Sequence, residues 1–279
     1  MSDAIRVVLM SDLHDCHIDW YGVPTAVRME RLVAQYRAYC AAQPVDHTLL
    51  LGDYSLDFWA WNEKGSWLRA GESRTAHFVT EYAARFPTPV TMIPGNHEQY
   101  GEALFRRFTG CARRTSLAVG PAAFILADSF AGDLDPTSHS DGTYVPMDVG
   151  WIRAEMAKYP DKHVFLCAHH FDLQKESDAF RQLVREEARL VALFQGHTHE
   201  CSVVPLGEAY GGKLLLQTGQ FSYSHTPGHP GGGFWGWREL TVSPDGAASA
   251  YFTPQNDAVI DGVPYRHPAG RQDAANWKF

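Results

Sequence analysis

The sequence predicts an α/β fold in which parallel strands alternate with helices and an antiparallel section follows. Three observations carry that expectation. Short apolar, β-branched runs recur at 5–10, 48–51, 89–93, 122–127, 163–168 and 190–195, each stopping abruptly at a polar cluster, as buried strands do where they deliver residues to a sheet edge. Helical patterns lie between several of these runs. Beyond residue 200 the texture changes to runs at 213–217, 235–242 and 248–252 separated by Gly and Pro, which reads as antiparallel β-structure.

Taken in order, the first run is followed by a segment, 24–42, whose Val27, Leu32, Val33, Tyr36 and Tyr39 recur near 3.6-residue spacing. That spacing predicts a helix with one apolar face. Helices are expected likewise at 69–85, 100–108, 147–159 and 176–189, and strand–helix–strand units imply parallel pairing through crossovers. The Gly-rich stretch 229–233 reads as a loop, and 261–279 is too polar and too punctuated by Pro and Gly to assign. No internal repeat or linker-like segment divides the chain, so a single domain over residues 1–279 is expected.

Composition narrows the classes. A chain with 45% hydrophobic and 20% charged residues is neither disordered, collagen-like nor a coiled coil. The formal charge of −8 exerts no general pull on phosphate backbones or anionic membranes, so neither nucleic acid nor a membrane is the expected partner. No segment approaches the ~20 apolar residues that span a bilayer, and the start, MSDAIRVVLMSD, has no leader pattern. A cytoplasmic setting is therefore expected. Cys16, Cys40, Cys111, Cys167 and Cys201 are scattered, with no CxxC pair, which suggests reduced thiols and no thiolate zinc site. The 14 histidines stand out, since neutral imidazole is the commonest metal ligand and proton shuttle near neutral pH.

Those histidines fall where the strand runs end. The first run delivers Ser11, Asp12, Leu13 and His14, the second Gly52 and Asp53, and the third Gly95, Asn96, His97 and Glu98. The fifth ends in His169 and His170, the sixth in Gly196, His197, Thr198 and His199. Taken alone, most of these fragments read more readily as turn or surface residues than as ligands, and His169 with His170 reads as well as a packed imidazole as a ligand. Strand corners favour Gly, Pro, Asn and Ser over repeated His, however, and an open α/β sheet places its ligand site at the strands' C-terminal ends. Asp12 and His14, like His197 and His199, stand in i, i+2 relation, so in extended chain each pair shares a face and can chelate one ion. The convergence predicts a metal centre.

These blocks, DxH, GDxx, GNHE, a later His and GHTH, resemble in order the calcineurin-like metallophosphoesterase family over residues 12–199. The resemblance implies a four-layer αββα sandwich of mixed sheets with helices outside, and a two-metal site. It assigns Asp12, His14, Asp53 and His199 to one cation, and Asp53, Asn96, His169 and His197 to the other, with Asp53 bridging. It prefers His169 to its neighbour His170 as ligand. It gives His97 a role without ligation, stabilising the transferring phosphoryl group or protonating the leaving oxygen. The implied activity is hydrolysis of a small-molecule phosphate ester. Two cations clamp the attacking and leaving oxygens and acidify a water lying between them, so Asp53 and His97 are the expected catalytic residues and solvent the nucleophile. With only two carboxylates against four positive charges the site attracts a phosphate ester even on an acidic protein. The mixed His, Asp and Asn donors suit Mn, Fe, Zn or Co better than Ca or Mg.

The sequence also departs from the family. The acid expected to support His97 would stand at position 56, which is Leu56, leaving Asp57 as candidate. The arginine that protein serine/threonine phosphatases of the family carry after it is absent, Phe58 and Trp59 following Asp57. A dianionic monoester would lack that cation, which tilts the expectation toward phosphodiesters and a resemblance to bacterial cyclic-nucleotide and glycerophosphodiester hydrolases. A phosphomonoesterase or nucleotidase is the alternative; a nuclease is disfavoured for want of a basic stripe, and a non-catalytic scaffold because no ligand is missing. His17, Tyr54, His170 and His225 are candidate substrate contacts, with His229 a further rim candidate. Two aromatic clusters, Tyr54, Phe58, Trp59, Trp61 and Trp67, and Phe221, Tyr223, Phe234, Trp235 and Trp237, could pack internally or stack on a leaving group.

Overall fold

A computed structural model describes residues 4–16, 23–57, 73–132, 142–222, 235–257, 259–260, 263–264 and 269–279. Among these, two six-stranded sheets dominate. The first runs β14 (Gly270–Lys278), β11 (Gly246–Thr253), β10 (Trp237–Ser243), β1 (Ile5–Met10), β2 (His47–Leu51) and β3 (Val90–Ile93). The second runs β4 (Thr115–Val119), β5 (Ala122–Leu126), β6 (His163–Ala168), β7 (Leu190–Gln195), β9 (Leu214–Gln217) and β8 (Val203–Pro205). A small antiparallel pair joins β12 (Val259–Ile260) to β13 (Val263–Pro264).

Alternation along the strands explains the layering. In β1, Val7 and Leu9 point to one side and join Leu49, Leu51, Phe124, Phe165 and Phe194 in the core between the sheets. Val8 and Met10 point to the other and meet Met29, Leu32, Val33 and Tyr36 of α1 (Thr25–Ala42). Successive side chains of a strand face opposite ways, and since both faces are covered from Val7 on, VVLM is apolar throughout, Arg6 standing at the partly exposed start of the strand. The same cluster takes in the turns Phe78–Tyr82 and Ala83–Arg85 that continue α2 (Arg74–His77), and Phe105 of α3 (Glu102–Thr109). On the far side, Ile125, Leu166 and Leu193 pack under α4 (Val149–Ala157) and α5 (Asp178–Glu186), contributing Ile152, Met156, Phe180 and Leu183. This is the αββα sandwich.

β1, β2 and β3 pair in parallel, as do β5, β6 and β7, each trio in its own sheet. The structure departs from the expected elements at several points, β4 and β8 having no counterpart among the expected runs. The run at 213–217 was expected in antiparallel structure, yet β9 lies parallel to β7, with Leu193 opposite Leu215, and only its other edge, to β8, is antiparallel. The tail contains β14, antiparallel to β11 from Gly246/Lys278 to Thr253/Gly270; its mostly exposed side chains gave no apolar alternation to read. In α1, Val27 is 50% exposed and the buried stripe runs through Thr25, Arg28, Met29, Leu32, Val33 and Tyr36. Of the helix expected at 69–85, residues 69–72 lie outside the described residues. Among the described residues no helix is long and apolar enough to cross a membrane.

Candidate metal centre

The parallel strands of both sheets end on one side, and the seven expected ligands follow β1, β2, β3, β6 and β7. The corners are built from unusual backbone. Asp12, His14, Asp53, His197 and His199 all have positive φ, from 52° to 68°, and outside this set only Asp273 among described non-glycine residues does. Such left-handed positions cost non-glycine residues free energy and cluster at functional sites. They also correct the expected extended geometry: Asp12 and His14 reach one site through a tight corner. Backbone bonds hold it, with the Asp12 N–H donating to Gly52 O at 3.1 Å and the His14 N–H to Asp53 O at 3.0 Å.

Three groups of ligand atoms lie within 4.8 Å of one another: Asp12, His14 and His199; Asp53, His169 and His197; and His14, Asp53 and His97. Asp53 is central, its Oδ2 standing 3.1 Å from His169 Nε2 and 3.7 Å from both His14 Nε2 and His97 Nε2. Asp12 Oδ1 is 3.3 Å from His199 Nε2. Asn96 Oδ1 lies 2.9 Å from His169 Nε2 and 2.9 Å from His197 Nδ1. His169 Nδ1 donates to the Leu51 carbonyl at 2.7 Å, and since a carbonyl can only accept, that bond fixes the tautomer and turns Nε2 toward Asp53. His170 is in none of the three groups.

The electrostatics suit a cation. Burial pushes the Asp53 carboxyl up, but His169, His97 and His14 outweigh it and hold it well below the carboxylate range. Asp12 is lowered too, burial again being overcome by His199 and His169. Burial pulls His169 down, yet Asp53 and Asp12 carry it to about 9, so the carboxylates favour positive charge between them. Burial dominates at His14 and His197, lowered to about 4 and about 3, leaving the neutral imidazoles that ligation requires. Buried anionic and neutral donors grouped around a shared carboxylate fit transition-metal ions.

Supporting residues surround the donors. Glu98, fully buried, accepts from the Asp53, Gly95 and Ser55 N–H groups at 2.8, 2.9 and 2.9 Å and from Ser55 Oγ at 3.1 Å. It stitches the corner after β2 to the corner after β3. Sequence reading passed over it, although it closes the GNHE block. Burial and then Asp53 push its carboxyl up to about 8 against the pull of those donors. Ser11 Oγ donates to Asp12 Oδ2 and bonds Thr218 Oγ1 at 2.6 Å, while the His197 N–H reaches the same Asp12 oxygen at 3.0 Å.

Asp57 is taken up elsewhere than the expectation had it. Its carboxylate accepts from the Arg74 and Thr75 N–H groups, both at 3.0 Å, from Thr75 Oγ1 at 2.9 Å and from Tyr100 OH, so it caps the start of α2. Tyr54 is fully buried and stacks on Phe78 at 5.5 Å within the core beneath α1; as a substrate contact it is corrected. Phe221, Trp235 and Trp237 belong to that core as well. His17, His225, His229, Phe58, Trp59, Trp61, Trp67, Tyr223 and Phe234 lie outside the described residues.

Over the donors opens a cavity of about 480 Å³, reaching Asp53, Asn96, His97, His197 and His199 and walled beyond them by Phe130, Tyr144, His170, Asp172 and Lys175. His170 lies on this wall, its ring 4.4 Å from that of His197 and 5.7 Å from that of Tyr144. Among the described residues that line the cavity, Lys175 is the one lysine or arginine, and its Nζ pairs with Asp172 at 2.9 Å.

Among solved structures, PhoD is 11% identical with a TM-score of 0.58, the match covering 96% of this chain and 68% of that one. A purple acid phosphatase from yellow lupin seeds is 12% identical with a TM-score of 0.56, over 91% of this chain; the chain spans about half, 52%, of that protein's length. GAP50, described as the anchor in the inner membrane complex of Plasmodium, is 11% identical with a TM-score of 0.55, over 96% of this chain and 89% of that one. At such identities the likeness is one of fold. A search of curated protein sequences found no significant match. The sequence profile of calcineurin-like phosphoesterases matches residues 5–201, a span that contains every candidate ligand, and the chain belongs to that family.

Proposed function

We propose that the protein hydrolyses small-molecule phosphodiesters with the aid of two transition-metal ions. The observation that carries this reading is the gathering of donors around Asp53, whose carboxylate is shared between the group it forms with His14 and His97 and the group it forms with His169 and His197, while His14 links the first of these to Asp12 and His199. Asp12, His14, Asp53 and His199 would hold one ion; Asp53, Asn96, His169 and His197 the other. Mn, Fe, Zn or Co fits these donors. When bound, the ions supply Lewis acidity to the phosphoryl oxygens and lower the pKa of water.

The chain's own groups do the rest. His97, 8% exposed and lining the cavity, holds a proton that it gives to the departing ester oxygen, a role worth ~10² to 10⁴ in rate. Its place in the group with His14 and Asp53 would also allow ligation, so its assignment as a proton donor rests on the family pattern. The Asp53 carboxylate, held by the His97 N–H on Oδ1 at 3.0 Å, keeps His97 and the ligand corner in register. Phe130 and Tyr144 close one wall of the cavity and limit access of water to the ester. The preference for a diester follows from charge: Lys175, already neutralised by Asp172, adds no net cation for a second phosphate charge. A cavity of about 480 Å³ suits a small ester, and a cytoplasmic setting accords with five free thiols.

Metal analysis of the purified protein, followed by matched chromogenic mono- and diesters, tests the reading. Two equivalents of metal and faster turnover of the diester are expected. Faster monoester turnover would move the assignment to a phosphomonoesterase or nucleotidase, and full turnover after metal stripping would overturn the mechanism.

A further inference from the structure

Arg28 lies in the buried stripe of α1, 1% exposed. A guanidinium in a core is costly unless its donors are satisfied, and its hydrogen bonds among the described residues go to neutral oxygens. Nη1 donates to the Leu13 carbonyl and, at 2.8 Å, to that of Phe221; Nη2 donates to the His14 carbonyl at 2.9 Å and to Thr25 Oγ1 at 3.4 Å. Two of these carbonyls belong to the corner in which Asp12 and His14 are both left-handed. The third is on the segment after β9, whose Phe221 N–H in turn donates to the Asp12 carbonyl at 3.3 Å. Burial lowers the guanidinium's pKa to about 10, which leaves it charged at neutral pH.

We propose that Arg28 is a positioning residue: reaching from α1, its guanidinium clamps the Leu13, His14 and Phe221 carbonyls and so fixes the corner that presents Asp12 and His14 to one of the two cations. The inference rests on the two-metal reading. The fork suits the task because its planar donors diverge at fixed angles and can serve several carbonyls at once, which a lysine ammonium on a flexible stem does less well. Nothing comparable is asked of it at the ligands that belong to the second cation alone, Asn96, His169 and His197, which follow β3, β6 and β7, while Glu98 holds the shared Asp53. The effect of losing Arg28 therefore falls chiefly on the first cation.

The test compares wild type, Arg28→Met, Arg28→Lys and Leu32→Ala, the last a buried α1 residue whose apolar side chain donates to none of the corner's carbonyls. Mn²⁺ is titrated into each metal-free full-length protein by calorimetry, and amide hydrogen exchange is read on the same metal-free samples. Arg28→Met is expected to keep one Mn²⁺ site at wild-type affinity and to weaken the other about 10- to 100-fold, the usual range for lost outer-sphere support. Arg28→Lys should fall between it and wild type, and Leu32→Ala should lower the thermal midpoint with both affinities unchanged. Exchange should quicken in 11–16 and 219–222 and not in 90–100. Unchanged affinities with unchanged exchange, or equal weakening at both sites with exchange raised throughout, would overturn the proposal. If Arg28→Met does not fold, Arg28→Lys is judged by the same criteria. Wild type binding fewer than two Mn²⁺ would overturn the two-metal reading itself, while the exchange data still decide whether Arg28 holds the corner.

Discussion

Gly95 offers a sharp perturbation, because glycine is required there for room and not for a left-handed backbone. A Cβ at position 95 would stand 2.1 Å from Asp53 Oδ1, 2.6 Å from its N and 2.8 Å from its Cγ. Ordinary contact begins at 3.4 Å, so in Gly95→Ala the Asp53 carboxylate or the corner carrying it must retreat by about 1.3 Å. Overpacking of this kind costs about 1–3 kcal/mol of stability. The functional loss is expected to be larger, since displacing a reacting constellation by about 1 Å can cost 10²-fold in rate and Asp53 is central to the ligand groups. We therefore expect Gly95→Ala to fold with a lowered thermal midpoint, to lose metal content, and to hydrolyse the best ester at least ~10²-fold more slowly. Gly212→Ala is the companion, combining a φ of 69° with open space around the new Cβ; it should lose stability and keep its rate. A Gly95→Ala enzyme with wild-type metal content and turnover would refute the argument that Asp53 sits against this glycine by necessity.

Other outcomes follow from the same geometry. His97→Ala should keep both metals by elemental analysis and lose ~10² to 10⁴ in rate; loss of metal would make His97 a ligand. Asp53→Asn should abolish hydrolysis and bind metal poorly, judged by the same two measurements. Chelation should lower the thermal midpoint, because a ligand binding only the native state at 100 times its Kd adds about 2.7 kcal/mol; an unchanged midpoint would speak against metal binding at these residues. Asp57, lifted by burial from 3.8 to about 7, binds its proton more tightly folded than unfolded. Its contribution is complete below pH 4 and drains away as pH rises to 7. At about 1.4 kcal/mol per pKa unit, the unfolding free energy of wild type relative to Asp57→Asn should fall by up to about 4 kcal/mol over that window. A urea-denaturation series in which the difference rises with pH would contradict the assignment.

The strands that build the site were legible because both their faces are covered, and a continuous apolar run that stops at His, Asp or Asn is hard to mistake. The corners themselves were not. Period-two reasoning put Asp12 beside His14 for an extended chain, whereas positive φ at both brings them together. Tyr54 follows a ligand directly yet turns into the core, because its large apolar ring is satisfied by Phe78. Arg28 was invisible for the opposite reason: charge hides a buried position, so the apolar stripe of α1 was drawn through Val27, which faces solvent. Glu98 was hidden because its partners on the corner after β2 lie on a distant segment that spacing along the chain does not reveal, and β14 because its mostly exposed side chains carry no apolar alternation.

The left-handed corners narrow the chemical alphabet from which the centre can be written. Asp, Asn and His are the side chains beyond glycine that visit this backbone region most readily, and two of them, Asp and His, supply the donors at the five left-handed positions Asp12, His14, Asp53, His197 and His199. Exchanging Asp12 or Asp53 for Glu would therefore alter donor reach and twist an already disfavoured peptide at once, and a β-branched residue there would oppose the turn outright. Redesign toward a different ion would have to work within those three letters or rebuild the loop beneath them.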